Sequence, residues 1–230
     1  MSLTQRKSRP LIRDTESLRD DRLFIVACDD TYAPRQYFDF FKMVRVKVHV
    51  VETPKEDTSS HATYVLERLQ AFEHEEDDER WMLLDTDHCI KKEHIKSFKR
   101  ALKDARKQGI KIALSRPCFE LWLLLHYVDE SVVASLKNAP ETDAALSQAL
   151  GVKYDKTKLK QEHYPLASVC EAYRRAEELD EKITGGEIPI GNTSRVYLLW
   201  KAILAKSLSS QLPSELRSLL SNSQNDRVAL

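Results

Sequence analysis

The sequence predicts an α/β protein: a parallel four-stranded sheet of order βαβαβαβα, followed by a helical appendage. Short apolar runs recur at residues 23–28, 81–84 and 110–114, each closed by polar residues. The segments between them carry apolar residues at helical spacing, and strands that alternate with helices imply parallel pairing through crossovers. The runs are apolar throughout rather than alternating, as expected of strands covered by helices on both faces. With 42% hydrophobic residues in 230, the chain can bury a substantial core.

Residues 1–22 mix Arg, Lys, Asp and Glu and read as a charged N-terminal arm. Leu23 to Cys28 is the first strand and ends in Asp29-Asp30. Pro34 to Met43, with Tyr37, Phe38, Phe40 and Phe41, reads as the first helix, its aromatics in the core. Val44, Val46, Val48 and Val50 alternate with Arg45, Lys47 and His49, which marks a strand with one more polar face, nearer a sheet edge. Thr58 or Ser59 is placed to cap a helix whose buried face is Ala62, Val65, Leu66, Leu69 and Phe72. Glu73 to Arg80 is acidic and reads as a solvated turn. Trp81 to Leu84 is the third strand and ends in Asp85-Thr86-Asp87. A helix follows with Ile95, Phe98, Ala101, Leu102 and Ala105 on one face, stopped at Gly109. Ile110 to Leu114 is the fourth strand, and Pro117 suits the first turn of a buried helix over residues 118–127.

From about Asp129 onward only helical spacing remains, in Leu166 to Ile183 and Val196 to Leu204, with a turn at Gly185 to Gly191. The division is an arm (1–22), an α/β domain (23–128) and a helical C-terminal region (129–230).

All five glycines lie at position 109 or later, so no strand-to-helix turn in the first half can cradle phosphate as a P-loop or dinucleotide fingerprint does. Walker-type and typical nicotinamide chemistry are excluded on that ground. The 36 basic and 36 acidic residues cancel, which does not favour a general polyanion binder, although a local basic face can hide in a neutral sum. The four cysteines form no CxxC pair and read as reduced thiols. The stretch around Leu121 to Leu125 is far short of a membrane span, and the N-terminus has no apolar signal region, so a cytoplasmic protein is expected.

Two strands ending in acid are the main functional signal. In open parallel sheets ligands bind beyond the carboxyl ends of the strands. If strands one and three are neighbours, Asp29, Asp85 and Asp87 converge, and clustered carboxylates call for a cation. Oxygen-only ligands suit Mg²⁺ or Mn²⁺. A single strand-end Asp more often starts a turn or caps a helix; two such ends in one small sheet make a metal site the sharper reading. His88 and His94 lie close behind and read as solvated residues or mixed ligands. Glu120, inside an apolar helix, needs a partner: either Arg116, four residues earlier, or the site itself, with Arg116 left to contact phosphate.

Several segments resemble the RloB-like proteins, which belong with Toprim-like folds and are encoded near bacterial restriction–modification loci. The first is Phe24 to Asp30 with Tyr37-Phe38. The second is Leu84-Asp85-Thr86-Asp87. The third, Ser115 to His126 with its Pro117-Cys118-Phe119-Glu120 core, is the most specific. Tyr154-Asp155-Lys156-Thr157 and Asn192-Thr193-Ser194 echo the family more faintly. The resemblance covers roughly residues 20 to 205. It implies a Toprim-type, Mg²⁺- or Mn²⁺-dependent nuclease in bacterial phage defence, acting on DNA or RNA beside a defence-system partner protein. Asp85 and Asp87 would hold metal, Asp29 would be ligand or general base, Glu120 would support them, and Arg116 and Lys156 would contact substrate. The chain departs from the family where the Toprim signature has Glu-Gly: Asp29 and Asp30 stand there, and Arg116 stands where Asn is usual. Those departures support a second expectation, a non-catalytic module that binds a partner protein or nucleic acid. A third is phosphoryl or nucleotidyl chemistry on a small nucleotide.

Overall fold

A computed structural model describes residues 22–53, 61–87, 94–183 and 186–225. The expected arm up to residue 21, the caps at Thr58 and Ser59, His88, Cys89 and Gly185 lie outside the described residues.

The apolar runs are the strands. β1 (Arg22–Cys28), β2 (Val46–Val50), β3 (Glu79–Asp85) and β4 (Lys111–Arg116) pair in parallel in the order β2-β1-β3-β4. β2, with its alternating pattern, is an edge, as expected. The chain moves from β1 outward to β2, then returns across β1 to β3. The direction of winding therefore reverses between β1 and β3, and that is where the acidic ends lie.

Helices cover both faces. α1 (Tyr32–Asp39) packs on one face; α2 (Ala62–Ala71) and α3 (Ile95–Lys107) pack on the other with Ile25, Ala27, Met82, Leu84 and Leu114. The period of two in each strand sorts its side chains: Phe24, Val26 and Cys28 face α1, and Leu23, Ile25 and Ala27 face α2 and α3. Gly109 ends α3 with φ near +70°, the left-handed conformation that favours glycine there.

Several expectations are corrected. The sheet has five strands, not four. β5 (Thr193–Ser194) pairs antiparallel with Ser115 and Arg116 of β4, so the sheet is mixed and a strand does follow Asp129. Glu79 and Arg80 join β3 instead of the acidic turn. α1 spans Tyr32–Asp39 rather than 34–43, and Val44 and Arg45 precede β2, with Arg45 at φ near +64°. The helix after β4 is short: α4 spans Glu120–Leu124 rather than residues 118–127.

The rest is helical, as expected: α5 (Glu130–Ala134), α6 (Ala139–Leu150), α7 (Leu166–Lys182), α8 (Val196–Lys206) and α9 (Ser214–Asn225). These helices share one core with the α1 face of the sheet, where Trp122, Trp200 and Tyr37 are fully buried. No helix among the described residues is long and apolar enough to cross a membrane.

Candidate metal and phosphate site

Strand order brings the acids together. Cys28 of β1 lies opposite Leu83 of β3, so Asp29 falls beside the end of β3. Its carboxylate accepts the backbone N–H of Asp85 at 2.9 Å and that of Asp30 at 3.1 Å. These two bonds use about half of the carboxylate's lone-pair positions. The Asp85 carboxylate, in contrast, makes no hydrogen bond or ion pair among the described residues.

The Asp85-Thr86-Asp87 segment is pinned to the chain after β4. The amides of Thr86 and Asp87 both donate to the Pro117 carbonyl at 3.2 Å, and Thr86 also reaches the Ser115 carbonyl at 3.0 Å. That junction brings the next residues, Cys118 to Glu120, up to the acidic strand ends. Burial pushes the Asp29 carboxyl up to about 7, against the two amide bonds that favour its charged form. Asp85 is raised well above the carboxylate range by burial, then by the charges of Asp29, Glu120, Asp87 and Asp30.

Glu120 is partly buried and does not pair with Arg116. Its Oε1 accepts the Tyr154 hydroxyl at 2.9 Å. Arg116 instead donates to the Pro189 carbonyl at 2.9 Å. The i,i+4 pairing expected of these two fails because Arg116 ends β4 while Glu120 opens α4, so they share no helix. The bond to Pro189 takes one of the five guanidinium N–H donors of Arg116.

Around Glu120 a second donor set forms. Ligand atoms of Cys118, Glu120 and Asp143 all lie within 4.8 Å of one another, the group of that compactness among the described residues. Asp29, Asp85 and Asp87 are adjacent but do not close to that distance. Asp143 comes from α6, which packs on α4. Burial and then the Glu120 charge push its carboxyl up to about 6. The Cys118 thiol is raised by burial and by Glu120 and Asp85, and that keeps it protonated.

Lys156 does arrive at the site. Its ammonium pairs with Asp30, while Gln36 of α1 holds its backbone carbonyl and takes the Leu159 amide on its own side-chain oxygen. Asp30 is thereby neutralised. The helical half thus delivers Lys156, Tyr154 and Asp143 to the strand ends. Tyr154 and Asp143 were not singled out for the site: their partner Glu120 lies more than 20 residues away and no spacing links them. His94 precedes α3 and its ring meets His61 at 4.8 Å, so it belongs to a neighbouring aromatic group rather than the acidic set. Asn192 has a structural role: its amide donates to the carbonyls of Val133 and Leu136.

The donors gathered here are mostly carboxylate oxygens, the ligand type a hard divalent cation takes, and two of them, Asp29 and Asp85, meet at a strand junction with no ion pair to either among the described residues. No curated protein and no solved structure matches the chain significantly. A family model described as RloB-like protein matches residues 24–203, which takes in both acidic strand ends, the Pro117–Glu120 turn and Lys156; the chain belongs to the RloB-like family.

Proposed function

We propose that this protein is a metal-dependent nuclease of Toprim type that cleaves nucleic-acid phosphodiesters, with a role in bacterial phage defence. The observation that carries the reading is the Asp85 carboxylate: partly buried, beside Asp29 at the reversal point of the sheet, and without a counter-charge among the described residues. A Mg²⁺ or Mn²⁺ ion held by Asp29, Asp85 and Asp87 would offset that repulsion, polarise a phosphoryl oxygen and lower the pKa of a bound water. Glu120, held by the Tyr154 hydroxyl and hydrogen-bonded to the Cys118 thiol, lies beside Asp85 and would act there as the proton acceptor. Lys156 offers a cation at the rim for a phosphate, once Asp30 exchanges it. Two adjacent parallel strands, β1 and β3, that both end in acid support the Toprim comparison.

A second reading, a non-catalytic module that binds a partner, is favoured by one observation. The Asp29 carboxylate already serves as a clamp on the amides of Asp30 and Asp85, a structural task that needs no metal. The two readings part in one assay: DNA and RNA substrates incubated with Mn²⁺ and with parent, Asp85→Asn or Glu120→Gln protein. Cleavage lost by at least about a hundredfold in either variant supports the nuclease, as expected for groups acting in the transition state. Cleavage unchanged in both variants would overturn it.

A further inference from the structure

Charge on this neutral chain is not evenly spread. α3 carries Lys96, Lys99, Arg100, Lys103, Arg106 and Lys107 against one acid, Asp104, within 13 residues. All six cations are exposed, and at 100° per residue they fall in an arc of about 120°. The opposite arc, Phe98, Ala101, Leu102 and Ala105, is buried against the sheet. Asp104 partners Arg100 and Lys107, and Glu187 partners Arg106. Lys96, Lys99 and Lys103 have no carboxylate partner among the described residues. A row of uncompensated cations is costly in isolation and complementary to a polyanion.

The row has a direction. At its far end Lys111 is paired with Glu79, beside the acidic turn at Glu73–Asp78, which repels a polyanion. At its near end α3 starts from the chain that leaves Asp87, on the carboxyl edge of the sheet. There His94 lies against His61 at 4.8 Å, and His61 lies 6.3 Å from Tyr64, an aromatic that is 42% exposed. Cations along one helix face, followed by exposed rings, supply what binding of unpaired nucleotides uses: phosphates on the charges, bases on the ring faces. An anionic membrane would also attract the cations, but the apolar arc needed to enter lipid is already buried in the protein.

We propose that the outer face of α3 binds single-stranded nucleic acid, with the backbone on Lys96, Lys99 and Lys103 and bases stacked at Tyr64 and His61, and so leads a strand toward Asp85. The destination rests on the nuclease reading; the binding does not.

The test is fluorescence anisotropy with a labelled oligothymidylate in the presence of EDTA, so that binding is read without turnover. Lys96→Gln/Lys99→Gln/Lys103→Gln is expected to lose about tenfold or more in affinity, and to flatten the salt dependence by about 2 in log–log slope. Tyr64→Ala is expected to weaken binding by about tenfold with the salt slope unchanged. Lys137→Gln/Lys201→Gln/Lys206→Gln, with the same charge change elsewhere, should stay within about twofold of the parent. Circular dichroism checks that the exposed variants fold. No binding by the parent, equal loss in both triple variants, tighter binding of a duplex, or equal affinity for phosphatidylserine vesicles would each overturn the proposal. If the expected binding is seen but no cleavage follows when metal is added, the nuclease reading falls and this one stands.

Discussion

Two groups of charge in this molecule are built in opposite ways. Asp180 of α7 meets Arg195 just before α8: both carboxylate oxygens accept from the guanidinium Nε at 3.0 and 3.1 Å, and Tyr197 donates to one of them at 3.0 Å. The same guanidinium reaches the carbonyls of Glu187 and Gly186. Every charge there is answered. At the sheet reversal, Asp29 and Asp85 are brought together with no ion pair to either carboxylate among the described residues: Lys156 pairs with Asp30 and Arg68 donates to the Cys28 carbonyl. Both carboxyls are raised in pKa. The paired group fastens β5 and α8 to the fold. The unpaired group adds repulsion, which folding tolerates and which a bound cation would relieve.

The comparison predicts effects of opposite sign. Asp180→Ala should destabilise by about 3–5 kcal/mol, because it leaves the Arg195 guanidinium largely buried without its partner; urea denaturation measures this. A stability loss below about 1 kcal/mol would show that solvent, not Asp180, answers that charge.

Proton linkage gives the next largest effect. Buried His126, whose Nε2 meets the Tyr37 hydroxyl and whose Nδ1 meets Ser168, has its pKa lowered to about 3 by burial and by Arg175. The unfolded chain takes up this proton below about 6.5 while the folded chain excludes it, so stability falls with acid, by about 3 kcal/mol at pH 4. His126→Asn should remove that acid slope from a pH series of urea melts. Asp29 works in the other direction. Its folded pKa near 7 lies above the unfolded value, so its contribution is present at low pH and lost as pH rises through about 7. Asp29→Asn should flatten that decline between about pH 4 and pH 7.

Asp85→Asn should leave the metal-free protein as stable as the parent or raise its stability by about 1 kcal/mol, since it removes repulsion rather than a bond; thermal melts in EDTA check this. Lys156→Ala should cost under about 1 kcal/mol, because its pair with Asp30 is exposed and screened by solvent. Loss of that size would mark it as a rim group rather than part of the scaffold.

What was legible in the sequence follows from local physics. Three apolar runs marked β1, β3 and β4, the alternation at Val46 to Val50 marked β2 and placed it at an edge, and Asp29 and Asp85 at the ends of two runs marked the site. β5 was hidden because Thr193-Ser194 has no period to read. Its place is set by the Arg195 amide bonded to the Leu114 carbonyl and by the Asp180 clamp. The partner of Glu120 was misread for a similar reason. A spacing of four residues pointed to Arg116, but Arg116 ends β4 and Glu120 opens α4, while Tyr154 and Asp143 arrive from segments far along the chain. The basic stripe of α3 was visible residue by residue, yet the neutral total hid it; its meaning depended on knowing which arc of the helix is buried.

The central claim is that the unanswered charge at the sheet reversal is a cation site, and calorimetric titration with Mn²⁺ tests it most directly. The parent should bind, more tightly as pH rises through about 7 because metal displaces the proton raised on Asp29, and Asp85→Ala/Asp87→Ala should abolish the binding heat. No binding by the parent at millimolar metal, or equal binding by the double variant, would contradict the account.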